Sequence, residues 1–469
     1  MIEHLWSRLA AGRRLTVICS SVLVAVLMLT AAVGTGLAAW SAVTRNNGST
    51  FATDTLTPPT AVAAAAGGTG CAGVVGSQVH VTWTASASPS TAGYNIFRGT
   101  TSGGPYVLAG AVAGGGTTSF NDNAPRLPNG NPVAYTANYA NNNVTPFNTV
   151  THVTSANIAV GNGPGGALPA GDGMAITPDN SKIWETNFTG NDITPITVAT
   201  NTAGGNIALG GGTGPDAVVF TPDGLHAYVG NYSKNTVREL TVATGALGAS
   251  IATGNKTAPQ GITISPDGKT VYVANANGSL GVINTTTNTL TATITDGWTE
   301  LDGIAITPDG KTVWVADDQT DQVTPVATAT NTPGPKLVVG NNAQGLAISP
   351  NGCYMYVTNF NGNTVSQVNL TTLVVGAAIA VGRGPTALAF TPDGSQLFVA
   401  NYTDGTVSPI TVATGVAGTA FLVGNGAGSQ PDAICVSPWK ANQTYYYVVQ
   451  STVFSWSSVN SNEASVTLP

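Results

Sequence analysis

Asp172, Asp216, Gln260, Asp302, Gln344, Thr386 and Asp432 each stand directly before an apolar run of strand character, one per repeat of the chain. If those runs lie side by side around an axis, the seven side chains meet at one end of it. Asp432, Asp172 and Asp216 then form an acidic arc, with Asp302 across from it. Carboxylates brought together repel, and a hard cation, a basic ligand or hydrogen-bond donors relieve them. The simpler reading is that each polar residue bonds the backbone of its neighbour, a bond that a self-copying repeat would copy too. The other is a ligand or Ca²⁺ site. No cofactor is required by the first, and Ca²⁺ is the candidate under the second.

The elements that would place these residues follow from a phrase written seven times: YTANY, WETNF, YVGNY, YVANA, WVADD, YVTNF and FVANY. Its fourth residues (Asn138, Asn187, Asn231, Asn275, Asp317, Asn359, Asn401) are spaced 49, 44, 44, 42, 42 and 42 apart. A period of this size, made of short strands and turns, predicts propeller blades. In the last full repeat, 386–391 reads as the innermost strand, Pro392-Asp393-Gly394 as a tight turn and 395–401 as the second strand. Segments 407–413 and 417–424 supply two more. Proline presets φ for the turn, and Asp and Gly tolerate the rest, so the Pro-Asp pairs invite no chemical role. The first repeat lacks its innermost strand, and 432–437, ending before Pro438, has that form. The ring is therefore expected to close by joining the two ends of the repeat region, which removes open sheet edges.

The loop after each second strand opens at the same mouth, bringing Tyr139, Phe188, Tyr232, Phe360 and Tyr402 there. These aromatics could stack on a sugar or a peptide; packing between blades is the plainer expectation. His4, His80, His152 and His226 have no partner nucleophile that the register brings near, so a Ser-His-Asp or Cys-His site is not supported. No paired acid is identified, and no catalytic residue is assigned.

Through Tyr272-Val273-Ala274-Asn275, Tyr356-Val357-Thr358-Asn359 and the PDGKT phrases at 266–270 and 308–312, the repeat region resembles the YVTN family of bacterial β-propeller proteins. That resemblance implies an extracytoplasmic or cell-surface location more firmly than an activity. The flanks resemble a fibronectin type III domain cut in two, with Trp83 and Tyr94 before the propeller and Tyr445, Tyr446 and Tyr447 after it. Arg8, Arg13 and Arg14 precede an uncharged stretch from Leu15 to Trp40, and the stretch 34–56 resembles signal regions processed by SipW-type peptidases. The expected class is all-β: a seven-bladed propeller inserted into a fibronectin type III-like sandwich, after an N-terminal signal or transmembrane helix. Its expected divisions are 1–40 leader or anchor, 41–56 linker, 57–127 first sandwich part, 128–440 propeller and 441–469 second sandwich part. Of the four cysteines, Cys19 lies in the leader; Cys71, Cys353 and Cys435 make an odd set, with Cys435 read as a small buried strand residue.

A net charge of −7 with no basic cluster after Arg14 argues against nucleic acid as a partner. The membrane would be met only through the N-terminal segment. Together these features predict a secreted or cell-surface, non-enzymatic binding or structural protein, whose propeller mouth would meet an envelope polymer or a surface protein. The alternative is an extracytoplasmic lactonase-type hydrolase or lyase with a cation at the mouth; some seven-bladed propellers are lactonases, and fold alone does not carry activity.

Overall fold

The computed structural model describes residues 38–41, 52–66, 79–99, 101–122, 133–165, 173–392, 394–437, 444–453 and 456–467. The chain forms two compact units, 1–55 and 56–469. In the first, Ala38–Ser41 and Ala52–Thr55 pair as antiparallel strands, so the expected linker carries ordered backbone at its end. The rest of the expected leader lies outside the described residues. No helix among the described residues is long and apolar enough to cross a membrane.

In the second unit seven antiparallel sheets follow one another, and their innermost strands contact in a closed cycle. We number the blades from the one that closes the ring. Its inner strand is Pro431–Val436, paired with Val133–Asn138, so the last strand of the ring is borrowed from the far end of the chain. Blades two to seven begin with Met174–Ile176, Pro215–Phe220, Pro259–Ile264, Leu301–Ile306, Ala343–Ile348 and Pro385–Phe390. Apolar side chains on facing sheets of neighbouring blades share cores. Trp184 of blade two, for example, meets Phe220 of blade three edge-on at 5.2 Å. Burying a side chain of that size stabilises by about 2–3 kcal/mol.

The recurrent Asn is a structural device. Asn187 Nδ2 donates to Asp192 Oδ1 at 2.7 Å and Thr194 Oγ1 at 2.8 Å, and Asn401 Nδ2 donates to Thr406 and Ser408 at 3.0 and 2.9 Å. Each amide thereby ties the hairpin between second and third strands. The Pro-Asp turns behave as their residue types dictate: Asp223 Oδ1 accepts from Thr221 Oγ1 and from the Leu225 N–H, and Gly224 takes φ +70°.

The outermost strand departs from expectation. In blades two, five, six and seven it is broken into two short segments that both pair with the third strand; 417–424 yields only Val416–Ala417 and Phe421–Leu422. Pro195, Pro325 and Pro409 occupy the centre of the third strand in three of these blades and have no N–H to donate. The facing Gly204, Gly334 and Gly418 each donate instead to the proline carbonyl at 2.7 Å. Blade six breaks in the same way with Gln367 in that place, while blades three and four, without the proline, keep continuous outer strands at Ala246–Ala252 and Thr289–Ile294.

Segments on either side of the propeller build two further sheets. One joins Thr60–Ala66, Val79–Thr84 and Ser119–Asp122; the other sets Thr444–Val453 directly beside Gly93–Gly99. Val62, Val81, Trp83, Tyr94, Ile96, Tyr447 and Val449 form their common core, with the Trp83 and Tyr94 rings 5.2 Å apart. Both junctions to the propeller, after Val436 and before Val133, lie at the end of the ring opposite the mouth where the inner strands begin. Cys353 is disulfide-bonded, and Cys435 is buried and free.

Candidate functional site

Six of the seven expected mouth residues lie among the described ones; Asp172 does not. Asp216, Gln260, Asp302, Gln344, Thr386 and Asp432 are all buried. In each of the six inner strands the pairing with the second strand shifts register across this residue, a β-bulge. A bulge turns one side chain out of the alternating pattern, and here it does so six times at the same level of the ring. The next residue is always Gly or Ala, and the ring's tightness explains this. A Cβ on Gly303 would stand 2.0 Å from Gln344 O, and one on Gly345 2.3 Å from Thr386 O.

The six residues do not behave alike. Thr386 Oγ1 donates to the Pro431 and Asp432 carbonyls of the next blade, at 3.3 and 3.2 Å. The two glutamines reach out to the mouth loops instead. Gln260 Nε2 lies 3.5 Å from Glu300 Oε1, and Gln344 Nε2 donates to Asn342 Oδ1 at 3.3 Å. The aromatic residues expected at the mouth pair between blades: Phe188 with Tyr232 at 5.8 Å and Phe360 with Tyr402 at 6.3 Å.

Beside Asp432 stands a residue that the sequence analysis passed over. Glu185 occupies a second-strand position held by Thr136 in blade one and by Val229, Val273, Val315, Val357 and Val399 in the others. It is fully buried, and its Oε1 accepts the Gly165 N–H at 2.5 Å while Oε2 has no hydrogen-bond partner among the described residues. Gly165, at φ +98°, lies between the two acids: a Cβ there would fall 2.9 Å from Asp432 Cβ and 3.2 Å from its Oδ2. Burial raises the Glu185 pKa well above the ordinary range; the Gly165 N–H works against that rise and the charge of Asp432 adds to it. The neutral form of Glu185 is thus favoured relative to that of an ordinary glutamate. The signal available in the sequence was a carboxyl in a column otherwise made of Val and Thr.

Glu185 is directly opposite Met174 in the sheet, so the two side chains share a face. Met174, Val218, Ile262, Leu346, Leu388 and Ile434, each two residues after a mouth position, line a cavity of about 160 Å³ along the axis, together with Gly345 and Ala387. Two residues of strand put this collar about 7 Å below the polar ring. A cavity of that size holds one six-membered ring.

A second acidic group crowns blade five, where the repeat departs twice from its pattern, with Asp317-Asp318 in place of Asn and an aromatic. Asp317 accepts the Thr299 and Glu300 N–H groups at 3.0 and 3.4 Å, which fixes the loop bearing Glu300. Asn342 Nδ2 donates to Asp318 Oδ2 at 3.2 Å, and Gln319 Nε2 reaches both Glu300 and Asp318, at 3.4 and 3.3 Å. The Asp318 pKa is pushed up to about 6 by burial first and then by the charges of Glu300 and Asp317, with the Asn342 and Gln319 hydrogen bonds opposing. Across the mouth the Tyr232 hydroxyl is raised by burial and by Asp216, Glu300 and Asp302.

Among the described residues no group of three or more His, Cys, Asp or Glu side chains could hold a metal ion. The described histidines with side-chain contacts stand apart from the mouth. His226 Nδ1 meets Glu239 Oε1 at 2.5 Å at the start of a second strand, and His152 stacks on Phe421 at 5.3 Å.

With this geometry in place the comparisons become informative. Residues 126–344 match the family model described as "Lactonase, 7-bladed beta-propeller". The matched span, under half of the chain, carries blades two to five and includes Glu185, Glu300 and Asp318. This match overturns the expectation of a non-enzymatic binding or structural platform, under which no acid was identified to pair with a mouth carboxylate. Solved structures similar to the chain include hydrazine synthase from Kuenenia stuttgartiensis, at 21% identity and TM-score 0.52, over 64% of this chain and 96% of that one. A functionally unknown protein from Desulfotomaculum acetoxidans is similar at 16% and 0.56, over 65% and 99%. Virginiamycin B lyase from Staphylococcus aureus is similar at 14% and 0.50, over 59% and 91%. At these identities the likeness concerns the fold. No curated protein sequence matches the chain.

Proposed function

We propose that the protein is a lactonase-type hydrolase acting at the propeller mouth. The observation that carries this is the buried Glu185–Asp432 pair beside the axial cavity, in a propeller whose sequence matches a lactonase family. The two carboxyls take separate roles, with burial favouring the neutral form of Glu185. Asp432, as the carboxylate, accepts a proton from water as the water oxygen bonds to the lactone carbonyl carbon. Protonated Glu185 donates to the ring oxygen as the carbon–oxygen bond of the ring breaks, so that one water is consumed and a hydroxy acid leaves. Transfer of the proton from Asp432 back to Glu185 resets the pair. General acid–base assistance of this kind is worth about 10²–10⁴ in rate.

The reading also takes the two sheets outside the propeller as a fibronectin type III-like domain split between 57–127 and 441–469, and the protein as one acting outside the cytoplasm. Supporting the first is the pairing of Thr444–Val453 with Gly93–Gly99 over the shared Trp83 core; supporting the second are the arginines and uncharged stretch before Trp40.

The test is ring opening of neutral five- and six-membered lactones by the full chain, followed by proton release, with Glu185→Gln as the comparison. Turnover that depends on Glu185 supports the reading. If no lactone is opened faster than by the Glu185→Gln variant, the hydrolase reading fails.

A further inference from the structure

The blade-five crown and its neighbours present hydrogen-bond acceptors without donors to match. Gln260 Oε1, Gln344 Oε1 and Asp318 Oδ1 are buried atoms with no hydrogen-bond partner among the described residues. Both glutamines are more than nine-tenths buried, and their amides are directed at the group: Gln260 onto Glu300, and Gln344 onto Asn342, which in turn holds Asp318. Glu300 and Asp318 take no part in any ion pair among the described residues, where the lysines and arginines that do pair reach Asp267, Asp309, Asp296 and Asp404. Two neighbouring carboxyls and two buried amide oxygens, all facing one mouth, leave a demand for positive charge and for N–H groups together.

A cation cage does not meet that demand, since the carboxylates are too few and too spread to hold a metal ion. An arginine from the chain does not meet it either. A primary ammonium does: it is compact, carries one charge, and offers three donors in different directions. Partial burial strengthens each such charge-assisted bond relative to water.

We propose that the arc formed by Gln260, Glu300, Asp318 and Gln344 binds an organic ammonium group. On the hydrolase reading, on which this last step rests, the lactone opened at Glu185–Asp432 carries an amino group that the arc holds. The two parts of the mouth then divide the work, the arc fixing the amine and the buried pair acting on the ring.

The direct test is calorimetric titration of the full chain, at neutral pH and low salt, with n-propylammonium, n-propanol and tetramethylammonium. Propylammonium is expected to bind, propanol not to bind, and tetramethylammonium, which has charge but no N–H, to bind at least about tenfold more weakly. Glu300→Gln combined with Asp318→Asn is expected to weaken propylammonium at least about tenfold while its thermal midpoint does not fall below the parent's, and Glu185→Gln to leave propylammonium binding unchanged. Propylammonium that binds no better than propanol overturns the proposal, as does equal binding by the double variant. Calcium that binds where propylammonium does not overturns it in favour of a metal site. The two readings fail separately: neutral lactones opened without ammonium binding remove the arc, and ammonium binding without turnover of any lactone removes the hydrolase.

Discussion

Two groups of acids sit at one mouth of the ring, and they differ in what surrounds them. Glu185 and Asp432 are fully buried, and Gly165 lies between them with its N–H donated to Glu185 Oε1. Glu300 and Asp318 are half-buried and tied into a chain of side-chain amides from Gln260 through Gln319 and Asn342 to Gln344. Burial, with a single backbone donor set against it, disfavours ionisation of Glu185. Burial tempered by amides leaves Asp318 titrating at about 6, so that it is largely charged at neutral pH. On the proposed reading the same residue chemistry serves proton transfer at one place and charge recognition at the other.

The largest effect should come from the buried pair. Glu185→Gln is expected to lower kcat for lactone opening by about 10²–10⁴, whereas Glu300→Gln with Asp318→Asn should raise KM for an amine-bearing lactone and leave kcat for a neutral one near the parent value. Equal losses of kcat in both variants would erase the division between the two groups. As a check on cost, Glu185→Val restores the residue of the other blades and should raise stability by about 1–2 kcal/mol in chemical denaturation, since an acid with one unpartnered oxygen leaves the interior.

Next comes the scaffold that sets both groups at one level. Gly303→Ala places a methyl 2.0 Å from the Gln344 carbonyl and must push blades five and six apart. A loss of about 3 kcal/mol is expected, read as a lowered urea midpoint. An unchanged midpoint would mean that the inner strands are looser than their contacts imply.

The smallest effect is the titration of Asp318. Its folded pKa lies above the usual 3.8, so the charged carboxyl costs stability above pH 6, and that cost disappears as pH falls through about 6 toward 4. Asp318→Asn should therefore stabilise the protein at pH 7.5 by on the order of 1 kcal/mol after solvent screening, and hardly at all near pH 4. A stabilisation that grows toward low pH would contradict the sign.

The repeat made the ring legible because each blade was read against six others. The same comparison could have exposed Glu185, one carboxyl in a column of Val and Thr, and Asp318, one carboxyl in a column of aromatics and Ala276; their weight depends on burial, which a strand pattern alone does not report. The bulges were invisible for a different reason. Asp216 or Gln344 has no residue type that announces an extra residue in the pairing, and only the register shift against the second strand shows it. The broken outer strands were readable in principle, since Pro195, Pro325 and Pro409 remove a donor from the centre of a strand, yet blade six breaks without one.

Asp432 belongs to the strand that the chain contributes to the ring last, after the other blades have been synthesised. Glu185 is made early, in the second strand of blade two. On the proposed reading the acid and its base become one reactive unit only when the strand Pro431–Val436 returns and shuts the circle, so a chain cut short before Pro431 would have the glutamate and lack the chemistry.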